Sequence, residues 1–301
     1  MSQKSFSVGL STANDAREDG SIVKALEGIF DLGVGRVELA APRGALDIPA
    51  AAETLRRARG RIVAVRAPLI GYTASSDNPK ILSLNYVTAA DAEERDRASR
   101  DWNETLKWAS GFRADLVLLS GGVCASVAAK EFETAAEAGA DESERGPKLR
   151  ALMAAREAER ESAAERLCRF LHQALSEHRG LRLGLLLEGG AEALLGTEEL
   201  AWVLAEFDSE RVGLWYDPSA AHRRHLLGFD QAKSLWKLAS ERALGTYLCD
   251  SHELMTGLPL GAGTFSGLQD LLGLSPALPK ILRLAPGSSR LSFVSSLEMT
   301  L

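Results

Sequence analysis

The chain has little cysteine, and its cysteines form no recognisable metal or disulfide pattern. Its 301 residues include three, Cys124, Cys168 and Cys249, which are far apart and contain no Cys-x-x-Cys pair. An odd number of widely spaced cysteines is not typical of a disulfide framework or of a thiolate zinc site. We therefore expect reduced, buried thiols.

Long hydrophobic runs are also missing. No stretch reaches the roughly 18 consecutive apolar residues that a membrane-spanning helix requires. Residues 1–7 contain no long apolar segment of the kind found in secretory signals. We expect a cytoplasmic protein without a membrane partner.

Positive charge is in deficit. The chain has 35 Lys and Arg residues against 41 Asp and Glu residues, for a net charge of -6 and a pI near 5.5. Nucleic-acid-binding proteins usually carry a basic domain or stripe, so we expect no nucleic-acid partner. The 46% hydrophobic and 25% charged residues are ordinary for a globular protein with a sizeable core, and they exclude disordered and fibrous classes.

Two short apolar runs that each end in a carboxylate are the most informative part of the sequence. One covers residues 181–188 and ends in Glu188, the other covers residues 211–217 and ends in Asp217, and a helical pattern at 197–207 separates them. Runs of this length fit strands that are buried on both faces, as in a parallel sheet covered by helices. In a parallel α/β barrel the C-terminal ends of the strands form the mouth where the chemistry takes place. Glu188 and Asp217 are therefore the first candidate site residues.

The same alternation of apolar runs and helical patterns continues along the whole chain. The predicted strands cover residues 6–10, 36–40, 61–68, 115–120, 181–188, 211–217, 243–250 and 280–286. Eight strands alternating with helices, with no change of composition that would mark a linker, predict one (β/α)8 TIM barrel domain over residues 1–301. Each strand contributes one residue to a test of this prediction: Leu10, Val37, Val65, Leu118, Leu186, Leu214, Leu248 and Leu282.

Two segments depart from this alternation. Residues 69–88 are rich in Ser, Asn, Gly and Pro, and connections beyond about 12–15 residues are uncommon unless they serve a site or are mobile. We expect this segment to cover the mouth. Residues 125–178 combine an apolar stripe with a charged face, which predicts a long packed helix with a break near Gly139 to Pro147.

Short motifs at the strand ends follow one another in a characteristic order. They cover residues 8–11, 33–39, 66–68, 120–122, 187–189, 216–218, 248–250, 259–263 and 284–287. Over nearly the whole chain they resemble the xylose-isomerase-like TIM barrel superfamily, which contains sugar isomerases, epimerases, inosose dehydratases and apurinic endonucleases. The resemblance implies a TIM barrel with sugar isomerase or epimerase chemistry at its mouth.

The resemblance also implies a metal site, and this chain departs from it. In the family a divalent metal is typically held by a Glu ending strand five, an Asp ending strand six, a His on strand seven and a Glu on strand eight. The first two match Glu188 and Asp217. The His position falls at about Thr246 or Tyr247, and the second Glu position falls at Arg283. We therefore expect a degenerate metal site and no cofactor, with a divalent metal left open but not favoured.

Other positions of the family pattern are changed as well. Arg66 stands in place of a His common after strand three, Ser120 in place of one common after strand four, and Ala262 in place of a Glu in the Gly-rich turn. The remaining histidines near the mouth do not match the family offsets, and surface positions are the favoured interpretation, although one could replace a lost ligand. They are His222, His225 and His252.

The candidate residues allow more than one role. Glu188 and Asp217 suit an acid-base pair that moves a proton at a carbon next to a carbonyl. They could also bind metal or pair with arginines. The other strand-end charges either contact a sugar hydroxyl or make salt bridges at the rim: Glu38, Arg66, Asp250 and Arg283. Arg283 should project its permanent charge toward the two carboxylates, with a two-bond fork available to it.

Two functions of different classes remain. The first is a sugar isomerase or epimerase that acts on a small polyhydroxy carbonyl compound. The second is a non-catalytic barrel that binds a small polar, sugar-like ligand or a protein partner. An apurinic endonuclease is disfavoured by the acidic charge and the missing histidines. Gly261 and Gly263 could cradle a phosphate, but a tight turn is favoured. The oligomeric state stays open.

Overall fold

The computed structural model describes residues 8–14, 21–41, 46–69, 86–114, 116–264, 267–275, 277–285 and 287–301. Residues 6, 7, 115 and 286 of the predicted strands lie outside these ranges. Residues 70–85, most of the segment expected to cover the mouth, also lie outside them, so that expectation stays a prediction.

Eight parallel strands close into a barrel in the order β1-β10-β7-β6-β5-β4-β3-β2. They are β1 (Gly9–Ser11), β2 (Arg36–Leu39), β3 (Arg61–Arg66), β4 (Val117–Ser120), β5 (Leu183–Leu186), β6 (Val212–Tyr216), β7 (Ala243–Leu248) and β10 (Lys280–Leu282). All eight test residues lie in these strands. The prediction of a (β/α)8 barrel is confirmed.

A hairpin after β7 corrects the predicted seventh strand. That strand was expected to continue to residue 250, but β7 ends at Leu248 and the chain turns into an antiparallel pair, β8 (Asp250–His252) and β9 (Met255–Leu258). The apolar pattern of β7 concealed this change of direction. The hairpin extends from the C-terminal end of the barrel, beside the mouth.

Helices alternate with the strands on the outside of the barrel. They are α1 (Ile22–Asp31), α2 (Ile48–Ala58), α3 (Ala92–Gly111), α4 (Ser126–Glu137), α5 (Glu142–Glu177), α6 (Thr197–Ala205), α7 (Pro218–Leu226), α8 (Ala232–Arg242), α9 (Leu268–Gly273) and α10 (Arg290–Glu298). Asp47, Asp91 and Asp141 each accept a backbone N–H at the start of a helix, as N-cap residues do. In the described ranges, no helix has the length and apolar character needed to cross a membrane.

The break in the long helical region is shorter than expected. It covers residues 138–141, with Gly139 at a φ of +72°, and Pro147 lies inside α5. Asp141 caps α5 by accepting the N–H groups of Ser143 and Glu144. Helix formation therefore begins before Pro147, and the helix continues through a residue that lacks one backbone donor.

The barrel interior has a core of its own, separate from the layer between strands and helices. Trp215 and Tyr247 meet there edge to face, with their ring centroids 5.4 Å apart. Gly245 lies against this pair: a Cβ atom there would be 2.1 Å from Cζ3 of Trp215. A residue without a side chain is thus needed at Gly245. The three cysteines are free thiols, two of them buried, while Cys168 is half-buried.

We predict opposite outcomes for two glycine substitutions. Gly245→Ala should destabilise the protein by about 1–3 kcal/mol, because the new methyl group overpacks the interior against the Trp215 ring. Gly28→Ala, in α1 where a Cβ would meet nothing within 4 Å, should stabilise by up to about 1 kcal/mol through helix propensity. Thermal unfolding followed by circular dichroism measures both. A Gly245→Ala protein as stable as the parent would contradict this packing.

Candidate active site at the barrel mouth

Two adjoining cavities open at the C-terminal ends of the strands. The larger, of about 390 Å³, is lined by Arg66, Glu188, Asp217 and Arg283 together with residues of the loop after β5. The smaller, of about 170 Å³, shares Arg66 and Glu188 with the first. The structure therefore brings together four of the predicted site residues.

Glu188 follows β5 and lies where the two cavities meet. Its Oε2 accepts a hydrogen bond from the Ser120 hydroxyl at 2.5 Å. Burial raises the pKa of Glu188, and this effect outweighs the Ser120 hydrogen bond and the charges of Arg66 and Arg283, which lower it. A carboxyl group with a raised pKa beside a polar cavity suits proton transfer near neutral pH.

Arg224 holds the main chain that carries Glu188. It is 1% exposed, and its Nη1 lies 3.4 Å from the carbonyl oxygens of both Glu188 and Gly190. Its Nε donates to Oδ2 of Asp230 at 2.6 Å. Because a buried guanidinium without partners is strongly unfavourable, these contacts must form together.

Two further arginines fix the rest of the loop after β5. Arg156, 5% exposed, donates to three carbonyl oxygens of this loop. These acceptors are the carbonyl oxygens of Ala191, Ala193 and Leu194. Arg223 binds Glu133, whose Oε1 also accepts the Ala191 N–H at 2.8 Å. The position of Glu188 thus depends on side chains from three helices.

Asp217 lines the larger cavity but has both oxygens engaged. Its Oδ1 caps α7 by accepting the N–H groups of Ser219 at 2.9 Å and Ala220 at 3.1 Å. Its Oδ2 lies 3.3 Å from Nη1 of Arg283. These interactions occupy both oxygens of the carboxyl group. The sequence contained a signal for this capping role, since an Asp followed by Pro and Ser is typical of a helix N-terminus.

Arg283 points toward the carboxylates, as expected. It contacts Asp217 through one nitrogen rather than through a two-bond fork, and its guanidinium lies over the Tyr247 ring, 4.8 Å from the centroid. Such cation–π contact stabilises a guanidinium at a fixed position. Arg283 therefore rests on the floor of the mouth with its charge partly neutralised by Asp217.

Glu38 lies deeper than its place at the end of a strand suggested. It is 0% exposed, lines neither cavity, and its Oε1 accepts the Tyr247 hydroxyl at 2.5 Å. Burial, followed by the charge of Glu38, raises the pKa of Tyr247 well above its ordinary range. Oε2 of Glu38 is buried without a hydrogen-bond partner, which costs about 1–3 kcal/mol. The contact partner of Glu38 is thus Tyr247 inside the barrel.

Asp250 fastens the Gly-rich turn to the hairpin. Its Oδ2 accepts the N–H groups of Gly261 and Gly263, both at 3.0 Å, and its Oδ1 accepts the Ser251 N–H at 2.8 Å. The two glycine N–H groups that might have bound a phosphate are therefore used within the protein. Asp250 lines neither of the mouth cavities.

Two aromatic residues of the smaller cavity were not identified from the sequence. Burial, with the charges of Glu188 and Glu192, raises the pKa of Tyr86 to about 12. Trp102, on α3, is 1% exposed and its indole Nε1 has no hydrogen-bond partner. Nothing in the sequence distinguished Tyr86, and Trp102 has only the periodicity of a buried helix face.

Solved structures of this architecture are similar to the chain over almost its full length. An E. coli 3-keto-D-glucoside 4-epimerase has 12% identity and a TM-score of 0.63, with 98% of each chain covered. D-Psicose 3-epimerase from Clostridium cellulolyticum, solved with D-tagatose, has 12% identity and a TM-score of 0.62, covering 97% of this chain and 96% of that one. A family 2 AP endonuclease from Brucella melitensis has 12% identity and a TM-score of 0.65, with the same coverage.

This chain has the xylose-isomerase-like TIM barrel fold. No protein-family model and no curated protein matches the sequence. At this level of identity, the structural likeness establishes the fold alone.

The side chains at the metal position of this fold do not fit a divalent cation. Thr246 donates its hydroxyl to the carbonyl oxygens of Tyr216 and Tyr247, and Arg283 places a guanidinium against Asp217. Such cations need several oxygen or nitrogen ligands. In the part of the chain that the structure describes, no three His, Cys, Asp or Glu residues form a group suited to a metal.

The histidines do not supply the lost ligands. His222 and His225 lie on α7, and His252 lies on β8. His222 and His252 line a separate cavity of about 460 Å³, and none of the three lines the mouth cavities. These histidines therefore lie outside the cavity that Glu188 and Asp217 line.

We predict that Glu188 makes stability depend on pH. The pKa of Glu188 is raised in the folded state. Its contribution to stability is therefore fully present below pH 4.5, which corresponds to the ordinary pKa, and is lost as pH rises through the folded-state pKa. The stability of Glu188→Gln relative to the parent should therefore increase as pH rises from 4.5. The increase should be about 1.4 kcal/mol for each unit by which folding raises the pKa of Glu188. Melting temperatures from pH 4 to pH 9 measure this.

Glu241→Gln is the control, because Glu241 is exposed on α8. Its stability relative to the parent should change little with pH. A constant stability difference between Glu188→Gln and the parent across the whole range would contradict the raised pKa.

We also predict that the native protein does not hold a tight divalent metal between Glu188 and Asp217. A cation at about 100 times its dissociation constant would stabilise the protein by about 2.7 kcal/mol. Manganese or magnesium should leave the native melting temperature unchanged and raise that of Arg283→Glu, in which a carboxylate replaces the guanidinium. Arg57→Glu, on the exposed face of α2, is the charge control. Stoichiometric metal on Glu188 and Asp217 in the native protein would contradict this prediction.

Proposed function

We propose that this protein is a sugar isomerase-type enzyme that acts on a small polyhydroxy carbonyl compound, with Glu188 as the group that transfers the proton. The observation that carries the proposal is Glu188 itself, a carboxyl group with a raised pKa where a polar cavity joins a smaller one. Two solved epimerases, one of a 3-keto-D-glucoside and one of D-psicose, share the fold, which supports the proposal.

The chemistry follows from the groups that line the larger cavity. Glu188 removes a proton from the carbon next to the substrate carbonyl, and the electron pair moves onto the carbonyl oxygen to give an enediolate. A guanidinium, from Arg66 or Arg283, stabilises the negative oxygen through its charge and its N–H donors. Glu188 returns the proton to the former carbonyl carbon, while the neighbouring hydroxyl proton passes to the former carbonyl oxygen. An aldose thereby becomes a ketose without gain or loss of atoms.

One available carboxyl group favours isomerisation over epimerisation. A single base can move a proton between adjacent carbons on one face of an enediolate. Inversion at a carbon requires a proton donor on the opposite face. Asp217 is engaged by two N–H groups and Arg283, so it is poorly placed to act as that donor. The acid-base pair inferred from the sequence thus becomes one proton carrier and one structural carboxylate.

A specific observation also supports the second candidate, a barrel that binds a small polar ligand without turning it over. The metal position is occupied by Arg283 and its Asp217 partner, so a Lewis acid has no ligand set there. The cavity of about 390 Å³ remains within the usual size range of ligand pockets, about 300–1,000 Å³. Binding without turnover is the outcome that would favour this candidate.

Proton exchange in heavy water separates the two candidates. Incubation with a panel of aldoses and ketoses in D₂O should introduce deuterium at the carbons next to the carbonyl, detected by NMR, together with the isomeric product. Glu188→Gln should lower kcat by about 10²–10⁴-fold, the usual contribution of a general acid-base group. Glu192→Gln, in the same loop but outside both cavities, should keep its activity. Sugar binding with neither exchange nor product would contradict the isomerase proposal.

A further inference from the structure

The smaller cavity has walls unlike those of the larger one. Several small or apolar residues form most of its surface: Ala13, Ala40, Ala41, Ala67 and Pro68. Its volume of about 170 Å³ corresponds to between five and six water molecules at about 30 Å³ each. That space accommodates a small planar group and an adjoining carbon.

One guanidinium that lines this space has no hydrogen-bond partner among the described residues. The Arg66 guanidinium lines both cavities and, within the described ranges, makes no hydrogen bond or salt bridge, although it interacts electrostatically with Glu188. Trp102 also lines the smaller cavity, but its indole N–H is buried beneath the cavity surface. Arg66 therefore offers donors that nothing in the described part of the protein accepts.

The other arginines of the mouth differ from Arg66. Arg223 is bound to Glu133 at 3.2 Å and to Glu137 at 2.9 Å, and Arg283 is paired with Asp217 at 3.3 Å. Their charges are neutralised within the protein. Arg66 instead carries a charge that a ligand can neutralise.

We propose that the smaller cavity is a carboxylate subsite and that the substrate is a sugar acid, with its carboxylate bound by Arg66 and its polyhydroxy chain in the larger cavity. This inference rests on the proposed function, since the reacting carbons would then lie where the cavities join, beside Glu188. A guanidinium matches a planar carboxylate through two parallel N–H···O bonds.

Two features favour a carboxylate over a phosphate and allow it to bind near Glu188. The backbone N–H groups of the Gly-rich turn, which could assist a phosphate, are bound to Asp250. Glu188 has one oxygen held by the Ser120 hydroxyl, which disperses part of the negative charge that faces the ligand.

Matched pairs of acids and neutral sugars test the subsite by equilibrium binding, independently of turnover. The pairs are D-glucuronate with D-glucose, D-galacturonate with D-galactose, and 2-keto-D-gluconate with D-fructose, measured by calorimetry at constant ionic strength. At least one acid should bind the native protein tenfold or more tightly than its neutral partner. No preference in any pair, or no measurable binding of any acid, would overturn the proposal.

Two variants assign the preference to this subsite. Arg66→Gln should abolish the preference for the acid over its neutral partner, because it removes the guanidinium that binds the carboxylate. Arg57→Gln, which removes a positive charge from the exposed face of α2, should leave the preference intact. A preference that survives in Arg66→Gln would overturn the proposal, provided that circular dichroism shows the variant to be folded.

The binding and deuterium-exchange experiments together distinguish this inference from the proposed function. Acid preference without deuterium exchange would support the subsite and contradict the isomerase. Exchange on neutral sugars without any acid preference would support the isomerase and overturn the subsite.

Discussion

The almost complete burial of the Arg224 guanidinium is the constraint on which the mouth depends. A charge in this position must have its hydrogen bonds satisfied, and Arg224 meets that need with Asp230 and with the carbonyl oxygens of Glu188 and Gly190. Arg156 and Arg223 hold the continuation of the same loop. The loop that presents Glu188 is thereby fixed to α5, α4 and α7. A proton-transferring group needs such support, because small displacements from a productive geometry reduce the rate strongly.

The surroundings of the two strand-end carboxylates give them different properties. Glu188 receives one side-chain hydrogen bond and lies in the mouth, where burial raises its pKa. Asp217 receives two backbone N–H groups and a guanidinium. Residues of the same chemical type at equivalent strand ends thus have different partners. This difference between Glu188 and Asp217 follows from local structure, because β6 leads directly into α7 through Pro218 whereas β5 leads into a long loop.

The fold was predictable from the sequence because buried parallel strands have a strong local pattern. Leu186 and Leu214 lie in apolar runs whose length and endings can be recognised without knowledge of their neighbours. The hairpin after Leu248 was missed because its strands are short and lack that pattern. At the mouth, the strand-end pattern predicted that Glu188 and Arg66 lie beside a cavity, but it did not predict the depth of Glu38. Its contact with Tyr247 joins residues 209 positions apart, and no local pattern encodes such a pairing.

Arg283 changes both the ligands available at the metal position of this fold and the charge of the mouth. A guanidinium in place of a carboxylate changes the local charge by two units in the positive direction and removes an oxygen ligand. Arg283 then neutralises Asp217, the other carboxylate of that position. Arg66 is left as a positive charge that no described residue pairs. A mouth that held a cation would repel both guanidinium groups, whereas a mouth that receives an anion is stabilised by them. The same pair of arginines that disfavours a metal therefore favours an acidic ligand, and one of them remains available to stabilise an enediolate oxygen.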